Sequence, residues 1–263
     1  MQNLKAHKKL ERIHHLNFSL LPTPIHKLNN LSRLLNINLY CKRDDLTGFA
    51  FGGNKTRKLD YLIEDALEKG FDTIIAVGAN QSNFCRMASA AGIVTGLEVH
   101  LVLGGEEPKK PTGNLLLMHL TGSIIHHINS ENWDDWVAES ENLKKKLENS
   151  GKNVYLLPVG GSTPIGALGY VKAFKEIVEF ERINEINFNY IFHSTSSAGT
   201  QAGLVIGKTI SDWSGKVIGI AAAMDKEILE NEIFELSLAT GELLDIKVNK
   251  DDIIVDDRYI GEK

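Results

Sequence analysis

An alternation constrains this sequence more than any other feature. From residue 73 onward, short apolar runs of strand-forming residues take turns with longer stretches patterned as helices. Thr73–Val77 is almost wholly apolar and ends at Gly78, as a buried strand should, and Leu97–Leu103 is closed by Gly104 and Gly105. Ser123–Ile128, Asn153–Leu157, Phe188–His193 and Lys216–Ala221 repeat the pattern. Before and between these runs the spacing predicts helices over Thr56–Lys69, Asn83–Ala91, Gly113–Leu120, Trp133–Leu147, Ile165–Phe180 and Thr200–Ile210. Strands separated by helices mark βαβ units, whose crossovers build parallel sheets. The fold class is α/β.

Open sheets of this kind bind ligands beyond the carboxyl ends of their strands, and most of the 23 glycines fall where strands turn into helices. The length of 263 residues allows one or two domains. A formal net charge of -5 argues against a nucleic-acid partner. Two cysteines, Cys41 and Cys85, exclude a disulfide framework and fit a reducing compartment. No run approaches the ~18 apolar residues of a membrane span. The basic start leads into polar residues 11–17 instead of an apolar stretch, unlike a secretory signal. The expectation is a cytoplasmic protein with no membrane partner.

Four clusters sit where chemistry is expected. In Gly52-Gly53-Asn54-Lys55-Thr56-Arg57-Lys58, two glycines permit a tight turn and a helix follows. Lys55 then lies at the helix N-terminus, where the dipole disfavours its ammonium form, and Lys58 shares its face one turn on. A lysine so placed can form a Schiff base with a carbonyl compound; it can equally be a phosphate-facing or solvated side chain. Gly78-Ala79-Asn80-Gln81-Ser82-Asn83 follows a strand, and its backbone N–H groups could hold a carboxylate, although Ser82 and Asn83 also suit a plain N-cap. Ser194–Thr200 is a small-residue loop feeding a helix, shaped as a phosphate cradle or as a simple strand-to-helix turn. Pro158–Pro164 is the fourth. The adjacent pairs His14-His15 and His126-His127 do not face one site, so no metal is expected.

Together these strings resemble one family. Leu21-Pro22-Thr23-Pro24, Lys42-Arg43-Asp44-Asp45-Leu46-Thr47-Gly48, Gly52–Leu59, Gly78–Asn83, Gly113–Leu117 and Pro158–Gly169 appear in order. They are similar to the pyridoxal-phosphate family of 1-aminocyclopropane-1-carboxylate (ACC) deaminase and D-cysteine desulfhydrase, over about residues 20 to 260. The resemblance implies fold type II, the tryptophan synthase β-like arrangement of two open parallel-sheet domains with the cofactor between them. The larger domain would comprise residues 1–55 and 168–263, the smaller one residues 56–167. By the same resemblance Lys55 is the Schiff-base lysine and later moves protons, and Ser82 lies near the substrate carboxylate and reacting carbon. Asn83 would hydrogen-bond the phenolic oxygen of pyridoxal phosphate. Ser196, Ser197, Ala198, Gly199 and Thr200 would cradle the phosphate, with Lys58 as an extra contact. A homodimer acting on a small amino acid is implied.

Three departures are visible. Phe84 stands where the family usually has His or Gln, which is expected to replace a polar group lining the substrate site by an apolar ring. The loop Ser196–Thr200 carries fewer glycines than usual. In the family the stretch matching residues 256–263 leads into a further segment bearing two active-site tyrosines and, in an Asp-Pro-Val-Tyr string, a pyridine-nitrogen neighbour. Without it, apolar surface on the larger sheet is expected to be uncovered. The expected activity is D-cysteine desulfhydration to pyruvate, sulfide and ammonia. ACC ring opening is the alternative, and a shortened non-catalytic homologue is the rival from another class.

Overall fold

The computed structural model describes residues 2–261, so Met1, Glu262 and Lys263 at the ends of the expected larger domain lie outside the described residues. In chain order the elements are α1 (Gln2–Leu10), β1 (Ile25–Lys27), α2 (Asn29–Leu35), β2 (Tyr40–Lys42), α3 (Thr56–Glu68), β3 (Thr73–Ala79), α4 (Asn83–Thr95), β4 (Glu98–Gly104), α5 (Gly113–Leu120) and β5 (Ile124–Ile128). They continue with α6 (Trp133–Asn149), β6 (Val154–Leu157), α7 (Pro164–Asn184), β7 (Tyr190–Thr195), α8 (Gly199–Ile210), β8 (Lys216–Ala221), α9 (Lys226–Leu244) and β9 (Ile254–Asp256).

Two parallel sheets carry the architecture, with strand orders β5-β4-β3-β6 and β7-β8-β9, and β1 pairs antiparallel with β2. The first sheet explains why its strands are apolar on both faces. Ile74 and Ala76 of β3 pack with Leu59, Leu62 and Met87 from α3 and α4, whereas Ile75 and Val77 pack with Trp136 and Leu143 of α6. A strand covered on both faces reads as a continuous hydrophobic run, not as an alternating one.

The second sheet is covered on one face. Val205 of α8 packs with Ala221 and Val255, and Ile191 and Val217 pack with Phe174 and Leu204. On the opposite face Tyr190 and Phe192 stack at 5.9 Å between centroids and remain 55% and 60% exposed. The alternation of β7 is therefore that of a half-covered strand.

Several helices run longer than their local signals. α4 continues past Ala91 because Gly92 is no terminator there: a β-carbon on it would lie 2.2 Å from Val99 Cγ2, so the glycine lets helix and strand approach. The helix stops instead at Gly96, in the left-handed conformation. α9 has no counterpart in the sequence reading, although Leu229, Ile233, Ser237, Thr240 and Leu244 bury one face at helical spacing.

Candidate active site

Gly52 and Gly53, at φ +74 and +132, turn the chain into α3 and deliver Lys55 at its N-cap. The turn is held from two sides. The Thr47 hydroxyl accepts from Gly53 N–H and donates to Gly53 O, both at 2.9 Å, while Arg86 of α4 donates to Gly52 O at 2.9 Å. Lys55 is half-buried, and desolvation lowers its pKa below the ordinary lysine value. The sequence reading assigned that direction to the helix dipole; in the structure burial is the cause.

One turn on, Lys58 is completely buried and donates to Gly160 O at 3.0 Å. Burial, then the neighbouring Lys55 charge, push its pKa well below the usual range. Its surroundings come from three loops. A β-carbon on Gly160 would lie 2.6 Å from Ser197 Oγ and 3.2 Å from Lys55 Nζ, and one on Gly199 would lie 2.8 Å from Lys58 Nζ. Gly199 N–H donates to Ser162 Oγ at 3.2 Å. Lys55, Lys58, Ser197 and Gly199 thus meet the loop after β6 in one place. Ser196 and Thr200 flank that point in sequence, with Thr200 buried in the first turn of α8.

The composition of this place is that of an anion cradle. Lys58 is a buried amine whose hydrogen-bond partner is a neutral carbonyl, and Ala198 at the N-cap of α8 has no polar side chain to cap the first turn, where Gly199 N–H turns to Ser162 Oγ instead. A buried ammonium and a helix N-terminus both gain from a negative group. Space for it exists because Gly160 and Gly199 lack β-carbons. Beside the cradle stands a lysine that is easier to deprotonate than usual, the form that attacks a carbonyl.

The Ser82–Asn83 cluster divides its work. Ser82 is the N-cap of α4, its Oγ accepting from Cys85 N–H at 3.1 Å, so the capping role is present. Asn83 opens the helix and is exposed, and its Oδ1 accepts from Asn114 Nδ2 at 3.0 Å. Phe84 does not line an open site. It is 2% exposed, packs in the core with Leu59 and Leu62, and lies under Gly161, where a β-carbon would come within 2.7 Å of its ring.

Several contacts join residues that lie far apart in the sequence. Arg57 turns away from the cradle and donates to Asp44, Glu176 and Thr23, while Lys42 meets Glu176 at 2.6 Å. The strings around Thr23, Lys42–Asp44 and Arg57 are therefore one buried ion cluster behind α3. Asp45 pairs separately with Arg43. Tyr170 accepts from Asn54 Nδ2 at 2.7 Å, bracing the residue before Lys55. Gly160 and Ser162 form the hub; their signal was the glycine-rich run at a strand end, which local reading could not connect to Lys58. His14 does approach Glu64 and Glu68, with donor atoms within 4.8 Å of one another. These groups are solvent-facing, and the His14–Glu68 hydrogen bond of 2.6 Å accounts for their closeness.

Comparisons with known proteins identify the family. Residues 16–258 match the family described as "Pyridoxal-phosphate dependent enzyme". A putative ACC deaminase from Pyrococcus furiosus is 40% identical over 240 residues, 91% of this chain and 72% of that protein. A mitochondrial bifunctional D-cysteine desulfhydrase/ACC deaminase from Arabidopsis thaliana is 36% identical over 223 residues, 81% of this chain and 56% of its own length. Among solved structures, an ACC deaminase homologue superposes with a TM-score of 0.87 at 37% identity, covering 93% of this chain and 74% of the other.

Proposed function

The chain belongs to the pyridoxal-phosphate-dependent enzyme family, and from that premise we propose that it is a lyase or deaminase of small amino acids, D-cysteine desulfhydration being preferred to ACC ring opening. The observation that carries the site assignment is the convergence of Lys55, Lys58, Ser197 and Gly199 on the Gly160 loop. The residues present fit pyridoxal phosphate: an aldehyde for Lys55, and a phosphate for Lys58 and the N-terminus of α8, whose N-cap Ala198 makes no side-chain cap.

When bound, the cofactor ring takes up the electron pair left when a bond to the substrate α-carbon breaks. The chain supplies the rest. Lys58, Ser196, Ser197, Ala198, Gly199 and Thr200 hold the phosphate, the lysine by charge and the loop by N–H groups and hydroxyls. Lys55 would hold the cofactor's carbon and afterwards move protons at the substrate α-carbon, a task helped by the desolvation that lowers its pKa. Asn83 would donate to the ring's phenolic oxygen, and Ser82, at the same helix N-terminus, would stand by the substrate carboxylate.

The larger domain would be residues 1–55 and 168–263 and the smaller 56–167, with the second boundary running through α7. The chain would work as a cytoplasmic homodimer, consistent with free Cys41 and Cys85. No helix among the described residues is long and apolar enough to cross a membrane.

The test is a titration of the purified chain with pyridoxal phosphate, read as visible absorbance, with Lys55→Ala as control. A band lost in the variant supports the assignment, and D-cysteine and ACC are then compared as substrates by pyruvate, sulfide and 2-oxobutanoate release. No band from a folded wild-type chain would favour the non-catalytic reading.

A further inference from the structure

Asn114 opens no cluster of its own, yet it ties the start of α5 to the stretch 81–83 that leads into α4. Its backbone N–H donates to Gln81 Oε1 at 2.9 Å, and its Nδ2 donates both to Gln81 O at 2.7 Å and to Asn83 Oδ1 at 3.0 Å. The approach depends on the residue before it. Gly113 has φ +55, and a β-carbon there would come within 2.6 Å of Gln81 Oε1.

The orientation of both amides follows from this chain of contacts. A backbone carbonyl can only accept, so the Asn114 atom facing Gln81 O is the nitrogen. That nitrogen carries two hydrogens; one goes to Gln81 O and the second to Asn83, so the Asn83 atom it meets is the oxygen. The Asn83 NH2 group is thereby turned away from Asn114 and left free to donate elsewhere.

We propose that Asn114 is a positioning residue for Asn83: by engaging the Asn83 oxygen it presents the Asn83 NH2 group, and not the oxygen, to the acceptor oxygen on the cofactor ring. This rests on the reading of Asn83 as the contact to that oxygen. An exposed asparagine amide otherwise turns about its last torsion with little preference, and half of its orientations would set oxygen against oxygen.

Two substitutions separate positioning from bulk packing. Asn114→Ala removes the donor and lets the Asn83 amide turn freely. Asn114→Asp offers only acceptors, which draw the Asn83 NH2 group to residue 114 and turn its oxygen to the cofactor. The measurement is the dissociation constant for pyridoxal phosphate, together with the pH midpoint of the visible band, in Asn114→Ala, Asn114→Asp, Asn83→Ala and the double variant Asn83→Ala/Asn114→Asp. Asn114→Asp is expected to weaken binding about tenfold, Asn114→Ala by less, and the midpoint to move to higher pH. In the Asn83→Ala background Asn114→Asp is expected to add nothing. Equal effects of alanine and aspartate overturn the proposal, as does an aspartate effect that persists undiminished without Asn83. If Asn83→Ala matches the wild type, the reading of Asn83 fails and this proposal falls with it. A wild-type chain with no Lys55-dependent band overturns both.

Discussion

The Lys58 amine donates to the Gly160 carbonyl at 3.0 Å and has no exposed surface. A single neutral acceptor does not repay the desolvation of a buried cation. The charged form of Lys58 is therefore disfavoured, which is why its pKa falls, and a neighbouring anion would restore it. Under the proposed function that anion would be the cofactor phosphate.

Replacing Lys58 by Met is expected to stabilise the cofactor-free chain and to weaken cofactor binding by about 1.5–3 kcal/mol, the range for a charged hydrogen bond. The pH dependence gives the sharper reading. Because the folded pKa is depressed, the folded chain binds fewer protons than the unfolded one between that depressed value and about 10.4. Stability from this group therefore rises with pH across that window. Urea midpoints of the cofactor-free wild type should climb from neutral to alkaline pH more steeply than those of Lys58→Met. Parallel curves would count against the buried-cation account.

The glycines of the cradle allow a test by volume. Gly160→Ala places a β-carbon 2.6 Å from Ser197 Oγ at φ +66, and Gly199→Ala places one 2.8 Å from Lys58 Nζ and 3.1 Å from Ser162 Cα. Both should raise the dissociation constant for pyridoxal phosphate at least tenfold. Gly70→Ala is the control, since at φ +74 it meets nothing within 4 Å. It should cost about 1–2 kcal/mol of stability through backbone strain alone and leave cofactor affinity unchanged.

The sheets were legible because β3 and β4 are buried on both faces and so carry largely apolar runs, broken in β4 by His100 alone between Val99 and Leu103. The turn before α3 was legible too, since Gly52 and Gly53 sit directly ahead of a periodic stretch. What stayed hidden depends on distance in the chain. Nothing local joins Lys58 to Gly160, Arg57 to Glu176, or Asn114 to Asn83, because each pair is brought together by crossovers between strands. Phe84 misled for a related reason. Its neighbours Ser82 and Asn83 lie at the open end of α4, but a helix turns about 100° per residue, and the next side chain faces the core.

That placement predicts the outcome of Phe84→His. A polar ring at a 2% exposed position among Leu59, Leu62 and Met87 loses apolar burial and gains unpaired nitrogens. It should cost about 3 kcal/mol of stability. Selectivity between D-cysteine and ACC in the surviving folded fraction should stay unchanged. A change in selectivity without loss of urea resistance would place the ring in the substrate site after all.

The ion cluster behind α3 should govern acid stability. Arg57 has a fully buried side chain held by Asp44 and Glu176, and Lys42 joins Glu176, so two cations face two carboxylates. Burial would raise the Glu176 pKa, but Arg57 and Lys42 outweigh it, and the group titrates below the ordinary glutamate value. With a depressed folded pKa, its contribution is present above the unfolded value of about 4.3 and is lost as pH falls through the folded one. Arg57→Met breaks the cluster from one side, stranding two buried carboxylates with Lys42 alone, and should cost about 3–5 kcal/mol. Glu176→Gln removes this acid-labile group, so its stability should fall less between pH 5 and pH 3 than that of the wild type. Both variants are read by urea unfolding across that range. Since Arg57 lies two residues beyond Lys55, a loss of cofactor binding in Arg57→Met that exceeds its loss of stability would show that the cluster also sets the position of the lysine.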